Sequence, residues 1–462
     1  MNKLIKTILL LIMLIGLALP YGISLLLERE YNRCLAKLNQ TAPNFVVVGE
    51  FSTGWFSSKA KTHVTAKENS ALTFALELEH NIKNGPIIID LENSAVKISK
   101  LALVDSKISN KQFLELSKLI YPGQNGLIIT TELEFDGTAN TTIKNLPFQY
   151  TIGNGEIQWS GLGSTLQYDR QLSFLIADIS MPKIAFKEGQ NQITLQTFKY
   201  ALGQKQTKYG MYAGEGEIAF EQFAIKSATD TVLAVDKFKF TGKNMIENNV
   251  TSVDFKLSIE NIFEFSSKSK IGPLSIALNI SNLDTPTLKK LSDSFDKLKQ
   301  FSRSNPEQVK LWLEVLAKQP TVKLQNTAIN TAHGKLTVDL QAKIGAANMP
   351  SLEKQTLLQT MQATAKIEIA KALAYELTAK KIERDINTEN QIFDLSHEGS
   401  QMPKPNLTPE LLKIEIENRV LATIKKLVEE KIIVEQEKTF VIDILMKDSS
   451  LKVNGSEIPL PF

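Results

Sequence analysis

Cysteine and histidine are scarce in this sequence, which contains one cysteine and four histidines among 462 residues. Because Cys34 has no second cysteine to pair with, an intramolecular disulfide and a zinc site built on cysteine pairs are both excluded. No His-Glu-x-x-His helix or Asp-rich calcium loop occurs, and the widely spaced histidines are His63, His80, His333 and His397. The sequence therefore predicts no metal site and no cofactor.

An excess of charge of either sign is also missing, since the formal net charge is +3 at pH 7. Lys and Arg are interspersed with Asp and Glu, whereas nucleic-acid binding requires a concentrated basic face. The chain lacks a Gly-x-Ser-x-Gly motif and a phosphate-binding loop, and its Gly-rich run at residues 160–164 contains no lysine. We therefore predict no nucleic-acid partner and no enzymatic activity, although a carboxylate pair assembled from distant segments stays open.

Long apolar runs are absent except at the N-terminus. Residues 7–27 form a stretch of 21 residues without a charge, and a helix of that length spans about 31 Å, enough for a membrane core. The alternatives are a cleaved signal peptide and a buried core helix. Against the signal peptide, the run exceeds the usual apolar core of about 7–15 residues and lacks a clean small-x-small cleavage site. Lys3 and Lys6 precede the run, so residues 1–6 are predicted as a cytoplasmic tip and most of the chain is placed outside the cytoplasm.

Beyond the anchor, residues 28–43 are predicted to continue the helix as a stalk, and alternation of apolar and polar residues dominates residues 44–283. Residues 253–259 and 274–280 alternate strictly, and turns rich in Gly, Asn and Asp separate such runs. Alternation with period two is typical of antiparallel strands that bury one face. The predicted fold class is therefore α+β: a large, predominantly antiparallel β-sheet meander with a few amphipathic helices, behind one N-terminal transmembrane helix.

Two amphipathic helices are predicted in tandem at residues 284–320. At residues 285–286 and 305–306 a capping residue is followed by proline at the first helical position. We expect their apolar stripes to pack on the sheet, with docking of a partner as the alternative; the stripes contain Leu288, Leu291, Val309 and Trp312. Residues 321–462 are predicted as an α+β region continuous with the same domain.

An aromatic turn is predicted at Gly54-Trp55-Phe56-Ser57-Ser58, between one strand at residues 44–51 and a second that runs through residue 66. Glycine permits the positive φ of a tight turn, and Trp and Phe provide large aromatic area to bury. We interpret the segment as a hairpin turn pinned into the core. An aromatic pair at the membrane interface is the alternative.

This segment resembles the Gly-Trp-Phe hallmark of the YdgA-like proteins of Gram-negative bacteria. The chain also has Asn84-Gly85-Pro86 where those proteins have His-Gly-Pro, and a similar closing Asn-Gly hairpin. The resemblance implies a single inner-membrane helix and a large periplasmic domain, and it implies no particular reaction. The family-motif residues, expected to form structural turns or an interface, are Gly54, Trp55, Phe56, Ser58, Gly85, Pro86, Asn454 and Gly455.

The number of amphipathic strands, set against few helices to cover them, favours a protein that binds or transfers an apolar ligand such as a lipid. One alternative is a structural protein that docks an envelope partner through a sheet edge or through the tandem helices. A second alternative is a periplasmic hydrolase, which requires a pocket that brings His or carboxylate groups together.

Overall fold

A computed structural model describes residues 3–41, 45–66, 75–90, 95–227, 230–264, 269–298, 306–345, 352–396, 408–447 and 449–459. Strands make up more than half of the described residues, and helices make up most of the remainder. Every strand pair described here is antiparallel, so the predicted fold of a large antiparallel β-sheet with a few helices is confirmed. Within the described part of the chain, no helix carries an apolar stretch long enough to cross a membrane.

The chain divides into two compact units. Unit 1 consists of Met1–Thr207 and Gly214–Thr229, and unit 2 consists of Lys208–Ala213 and Asp230–Phe462. The division falls inside the alternating region at residues 44–283.

Unit 1 contains two helices, α1 (Lys3–Thr41) and α2 (Lys111–Ile120). Its strands are β1 (Phe45–Ser52), β2 (Ser57–Ala66), β3 (Ala75–Asn84), β4 (Ile87–Asp90), β5 (Ala95–Ile98), β6 (Lys100–Ile108), β7 (Leu127–Glu134), β8 (Thr138–Asn145), β9 (Phe148–Ile152), β10 (Gly155–Trp159), β11 (Leu162–Asp169), β12 (Phe174–Glu188) and β13 (Asn191–Gln206). The next strand, β14 (Tyr212–Ser227), begins in the segment assigned to unit 2.

The main sheet of unit 1 runs β1-β2-β3-β6-β7-β8-β11-β12-β13. Strand β12 is long enough to pair with β11 through its first half and with β10 of the β9–β10 hairpin through its second half. Strands β4 and β5 form a separate two-stranded sheet between β3 and β6.

Unit 2 contains the strands β15 (Asp230–Glu247), β16 (Val250–Ile259), β17 (Asn261–Glu264), β18 (Ser269–Asp284), β19 (Thr321–Thr331), β20 (Gly334–Lys343), β21 (Gln362–Ala370), β22 (Val434–Glu435), β23 (Thr439–Lys447), β24 (Ser450–Val453) and β25 (Ser456–Ile458). Its helices are α3 (Thr285–Leu298), α4 (Pro306–Ala317), α5 (Lys354–Thr360), α6 (Lys371–Ser396) and α7 (Pro409–Glu429). The main pairing order is β15-β16-β18-β19-β20-β21-β23.

Helix α1 provides part of the core of unit 1. Its residues Ile23 and Leu27 are buried together with residues of β2, β3 and β6, namely Ala60, Ile82, Leu101 and Ala102. The predicted stalk therefore does continue the helix of residues 7–27, but it lies against the sheet. Of that predicted anchor, the side chains of residues 7–17 lie outside the described residues.

The core of unit 2 lies where α6 and α7 pack on the end of its sheet. Its buried members are Ala374, Ile382, Ile386, Val420, Ile424, Ile433 and Phe440. The tandem helices begin at Thr285 and Pro306, as predicted, and they bury Leu291, Leu311 and Val315. Leu291 belongs to the predicted stripe of α3, whereas Leu311 was not among the residues predicted to form the stripe of α4.

Candidate functional site

Four motif residues of unit 1, Gly54, Trp55, Phe56 and Ser58, form hydrogen bonds with the buried residue Asn84. Asn84, the last residue of β3, donates from Nδ2 to the carbonyl oxygens of Gly54 at 3.1 Å and Trp55 at 3.2 Å. Its backbone N–H donates to the carbonyl of Phe56 at 2.9 Å. Asn84 also exchanges hydrogen bonds with Ser58 Oγ, at 3.2 and 3.3 Å. The turn between β1 and β2 is therefore attached to the end of β3 by the side chain that stands where the resembling family has His.

Both motif glycines are required by close backbone approach. A Cβ atom at Gly54 would lie 1.9 Å from the carbonyl oxygen of Ser57, and one at Gly85 would lie 1.8 Å from that of Lys100. Side chains do not fit at such distances without backbone movement. Pro86 continues this connection, and its carbonyl accepts from the N–H of Ser99, which closes the β4–β5 hairpin.

Helix α1 contacts this aromatic turn directly. The hydroxyl groups of Ser24 and Ser58 are both buried and lie 2.7 Å apart. One helical turn earlier, the ring of Tyr21 packs against the ring of Trp55, with 5.4 Å between their centroids. The helix and the β1–β2 turn are thus joined by one polar and one aromatic contact.

The interpretation of the aromatic turn as pinned into the core is wrong for its two rings. Trp55 is 51% and Phe56 is 58% exposed. The turn is held instead by the Asn84 amide and by Ser58, so its shape does not depend on burying the rings.

A cavity lies between α1 and the sheet of unit 1; we call it the α1 cavity. Its volume is about 270 Å³. Most of its wall is apolar, formed by Leu27, Phe51, Ala60, Ile82, Leu101, Val104, Leu133 and Ala139. The remaining wall includes Glu30, Tyr31, Cys34, His80, Ser106, Glu134, Tyr168 and Arg170. A partly open apolar space with a few polar groups is the usual form of a small-molecule site.

A chain of hydrogen bonds runs along one wall and fixes the tautomer of His80. The Tyr31 hydroxyl donates its proton to the carbonyl of Lys61, so it accepts from Thr62 Oγ1 at 2.8 Å. Since Thr62 uses its proton there, His80 Nε2 donates to Thr62 Oγ1 at 2.9 Å. In neutral His80, Nδ1 is then the acceptor, and Ser106 Oγ donates to it at 2.7 Å. Burial lowers the pKa of His80, in agreement with a neutral ring.

Charged groups at the cavity wall are paired with one another. The Glu30 carboxylate accepts from Arg33 at 3.1 Å and lies 3.5 Å from Arg170 Nη1. Lys100 Nζ donates to the Glu134 carboxylate, and this hydrogen bond raises the pKa of the lysine. Because each of these charged groups already has a partner of opposite charge, none of them requires a charged ligand.

Cys34 also lines the cavity, and partial burial of its thiol raises its pKa. A raised pKa reduces the thiolate fraction at neutral pH, so the lone cysteine lacks the electrostatic setting of a reactive nucleophile.

The buried histidine predicts a dependence of stability on pH. The pKa of His80 is lower in the folded than in the unfolded chain, so the unfolded chain binds more protons below about pH 6.5. We expect the contribution of neutral His80 to the free energy of unfolding to be fully present above about pH 6.5. This contribution should decrease as the pH falls from there toward the folded pKa of His80. His80→Gln should flatten this slope, measured by urea unfolding at several pH values. His63→Gln, in the exposed pair His63–Glu77, is the control. Equal slopes in wild type and His80→Gln would contradict the assignment of His80 as a neutral, buried histidine.

The closing motif residues form a turn of unit 2. Asn454 and Gly455 both have positive φ, +48° and +79°, as a type I′ hairpin requires. Asn454 also accepts from the N–H of Asp443 and donates to the carbonyls of Lys431 and Ile432. Its role is to attach the hairpin to the segment after α7.

Each of the two other described histidines lies beside a carboxylate of its own unit. His63 lies 3.5 Å from Glu77, His333 lies 3.2 Å from Glu376 of unit 2, and His397 lies outside the described residues. Among the residues that the structure describes, no group of three His, Cys, Asp or Glu side chains is arranged to hold a metal ion.

Comparison with known families gives one match. The model of the family described as "Bacterial protein of unknown function (DUF945)" matches residues 1–461. The chain belongs to this family. The match covers both units of the DUF945 chain, including α1 and the closing hairpin. No curated protein and no solved structure match it.

Proposed function

We propose that this DUF945 protein is anchored in the bacterial inner membrane and binds an apolar ligand, such as a lipid chain, in the α1 cavity. The observation that supports this proposal is the apolar wall of the cavity, which α1 and the sheet of unit 1 form together. Ligand binding or transfer without catalysis is the role that this wall supports best.

The size of the cavity fits part of a lipid. Its volume is about 270 Å³. An apolar protein cavity of about 150 Å³ is known to admit benzene, and drug-sized ligands occupy pockets of roughly 300–1,000 Å³. The α1 cavity therefore suits one short acyl segment or a small apolar molecule.

The membrane location is supported by the sequence of α1. Its 21 uncharged residues at positions 7–27 follow Lys3 and Lys6, the charge pattern of a helix whose N-terminus is cytoplasmic. The resemblance to the YdgA-like proteins supports the same arrangement, with units 1 and 2 in the periplasm. Because the helix continues without a break to Thr41, the anchor and the cavity wall belong to one element.

The experiment is native mass spectrometry and lipid extraction on the full chain purified in mild detergent. We expect a co-purifying apolar molecule in near-stoichiometric amount. Val104→Phe adds a ring on the cavity wall and should remove most of the bound molecule. Overpacking by the ring should lower the free energy of unfolding by about 1–3 kcal/mol. Val64→Phe, on β2 but not among the residues that line the cavity, is the matched control. A ligand-free wild type, or equal occupancy in both variants, would refute the proposal.

A hydrolase is the second candidate, because Ser106 Oγ donates to His80 Nδ1 at the cavity wall. This is the contact between a serine nucleophile and its general base. However, His80 Nε2 donates to a threonine, whereas the base of a catalytic triad is oriented by a carboxylate. The same preparation separates the candidates: lipid recovered intact favours binding, and hydrolysed lipid that becomes intact in Ser106→Ala favours catalysis.

Partner docking through the tandem helices gains no support from their surfaces. Among the described side chains of α3 and α4, no large apolar residue is exposed. Exposed apolar residues of unit 2 lie elsewhere, for example at Leu411, Ile414 and Leu421 of α7.

A further inference from the structure

The β4–β5 hairpin exposes apolar side chains where a two-stranded sheet usually exposes polar ones. Ile87 and Ile98 are directly paired, and they are 61% and 67% exposed. Val96, two residues before Ile98 and on the same face, is 62% exposed. The opposite face is anchored, since Ile88 is buried and Lys97 forms an ion pair with Glu132 of β7. The outward face of this hairpin is therefore consistently apolar at its described positions.

The hairpin and the aromatic turn lie at the same end of unit 1. The backbone N–H of Asn84 donates to the carbonyl of Phe56, and Ile87 follows only three residues later. We call the exposed apolar residues of these two features the apolar tip: Trp55, Phe56, Ile87, Val96 and Ile98.

Helix α1 passes the apolar tip while it is still uncharged. Tyr21 packs on Trp55, and the first charged residue after the apolar segment is Glu28. Seven residues of helix correspond to a rise of about 10 Å. The side of α1 that faces away from the sheet is apolar over the same stretch, with Leu19, Leu25 and Leu26 exposed.

These positions fix the depth of the tip if α1 is the anchor. An uncharged helix of 21 residues just spans a hydrocarbon core of about 30 Å, so its last two turns cannot leave the membrane without shortening the span. Those turns are the ones that bury Ile23, Ser24 and Leu27 against the sheet. The part of the sheet beside them must then lie at the same level.

We propose that the apolar tip inserts about 10 Å into the outer leaflet of the membrane beside α1, which makes unit 1 an interfacial as well as an anchored domain. The occupant of this surface is the lipid bilayer. The proposal rests on the anchoring proposed above. Trp and Tyr at this level suit the interface, because their rings combine apolar faces with a polar group.

The test uses the full chain with Cys34→Ser, which frees the sequence of native thiols. Ile98→Cys in the tip and Ile152→Cys at the end of β9 are labelled with a fluorophore and reconstituted into phosphatidylethanolamine–phosphatidylglycerol vesicles that contain doxyl-labelled lipid. Both isoleucines are exposed. The strand register places Asn84, beside the tip, level with Leu175 of β12, and it places Ile152 level with Glu188, thirteen residues or about 43 Å further along that strand. We expect the label at position 98 to lose most of its fluorescence and the label at position 152 to keep it.

Extraction of the vesicles with alkaline carbonate separates the two proposals. A chain that resists extraction but shows no quenching at position 98 overturns the inserted tip and leaves the anchor in place. That result would indicate that the apolar tip binds a protein partner instead of the bilayer. A chain released by carbonate overturns the anchor and, with it, the insertion that rests on it.

Discussion

Asn84→Ala should destabilise unit 1 by about 2–4 kcal/mol, because it removes the donor that holds the aromatic turn. The side chain is buried and donates to the carbonyls of Gly54 and Trp55 and to Ser58 Oγ. Alanine leaves these acceptors without the Asn84 amide and opens a void beside them. Urea unfolding of the full chain in mild detergent measures the loss.

The control for this prediction is Asn81→Ala, at an exposed position of the same strand, which should change stability by less than about 0.5 kcal/mol. Asn84→His tests the resemblance at this position. An imidazole N–H can satisfy one of the acceptors, so we expect Asn84→His to be more stable than Asn84→Ala. Equal stability of Asn84→Ala and Asn81→Ala would mean that the turn is held by other contacts.

Deleting residues 1–40 should prevent unit 1 from folding, whereas deleting residues 1–17 should leave its packing intact. The longer deletion removes Ile23, Leu27 and Tyr31 from the core. Each buried side chain of this size contributes about 1.5–3 kcal/mol, and the sum is comparable to the whole stability of a typical domain, about 5–15 kcal/mol.

Limited proteolysis and circular dichroism of the two shortened chains in detergent measure this difference. We expect rapid cleavage within residues 45–200 only in the chain that lacks residues 1–40. If both chains resist proteolysis equally, residues 28–43 are only the stalk that the sequence predicts. The result also decides how a ligand can be sought, because the longer deletion removes a wall of the α1 cavity.

Regular elements could be predicted from the sequence where local signals were complete. The Thr285-Pro286 pair marks the start of α3, and strict alternation at residues 253–259 lies within β16 (Val250–Ile259). The end of helix α6 has no such local signal, because the helix continues to Ser396 through a polar stretch at residues 387–391. Its last residues lack the apolar periodicity on which a sequence-based helix boundary depends.

The candidate site could not be predicted, because it depends on strand register and on helix orientation. His80 and Ser106 are 26 residues apart and meet only because β3 and β6 pair in a register that places them opposite each other. The apolar residues of α1 surround the helix, so no periodicity identifies Ile23, Ser24 and Leu27 as the face that meets protein. The residue types of Trp55 and Phe56 predict burial in the core. The conformation of the turn depends instead on the hydrogen bonds of Asn84.

The division of the chain has a consequence for experiments that dissect it. Unit 1 takes residues up to Thr207, omits Lys208–Ala213, and resumes with Gly214–Thr229. No single cut of the polypeptide therefore releases either unit whole, and a stop codon after residue 207 removes a strand-forming segment of unit 1. During synthesis, at about 5–20 residues per second, unit 1 becomes complete only when residue 229 has been made, roughly 10–40 seconds after the end of α1. The two halves of the gene thus cannot be exchanged as independent modules at the midpoint of the chain.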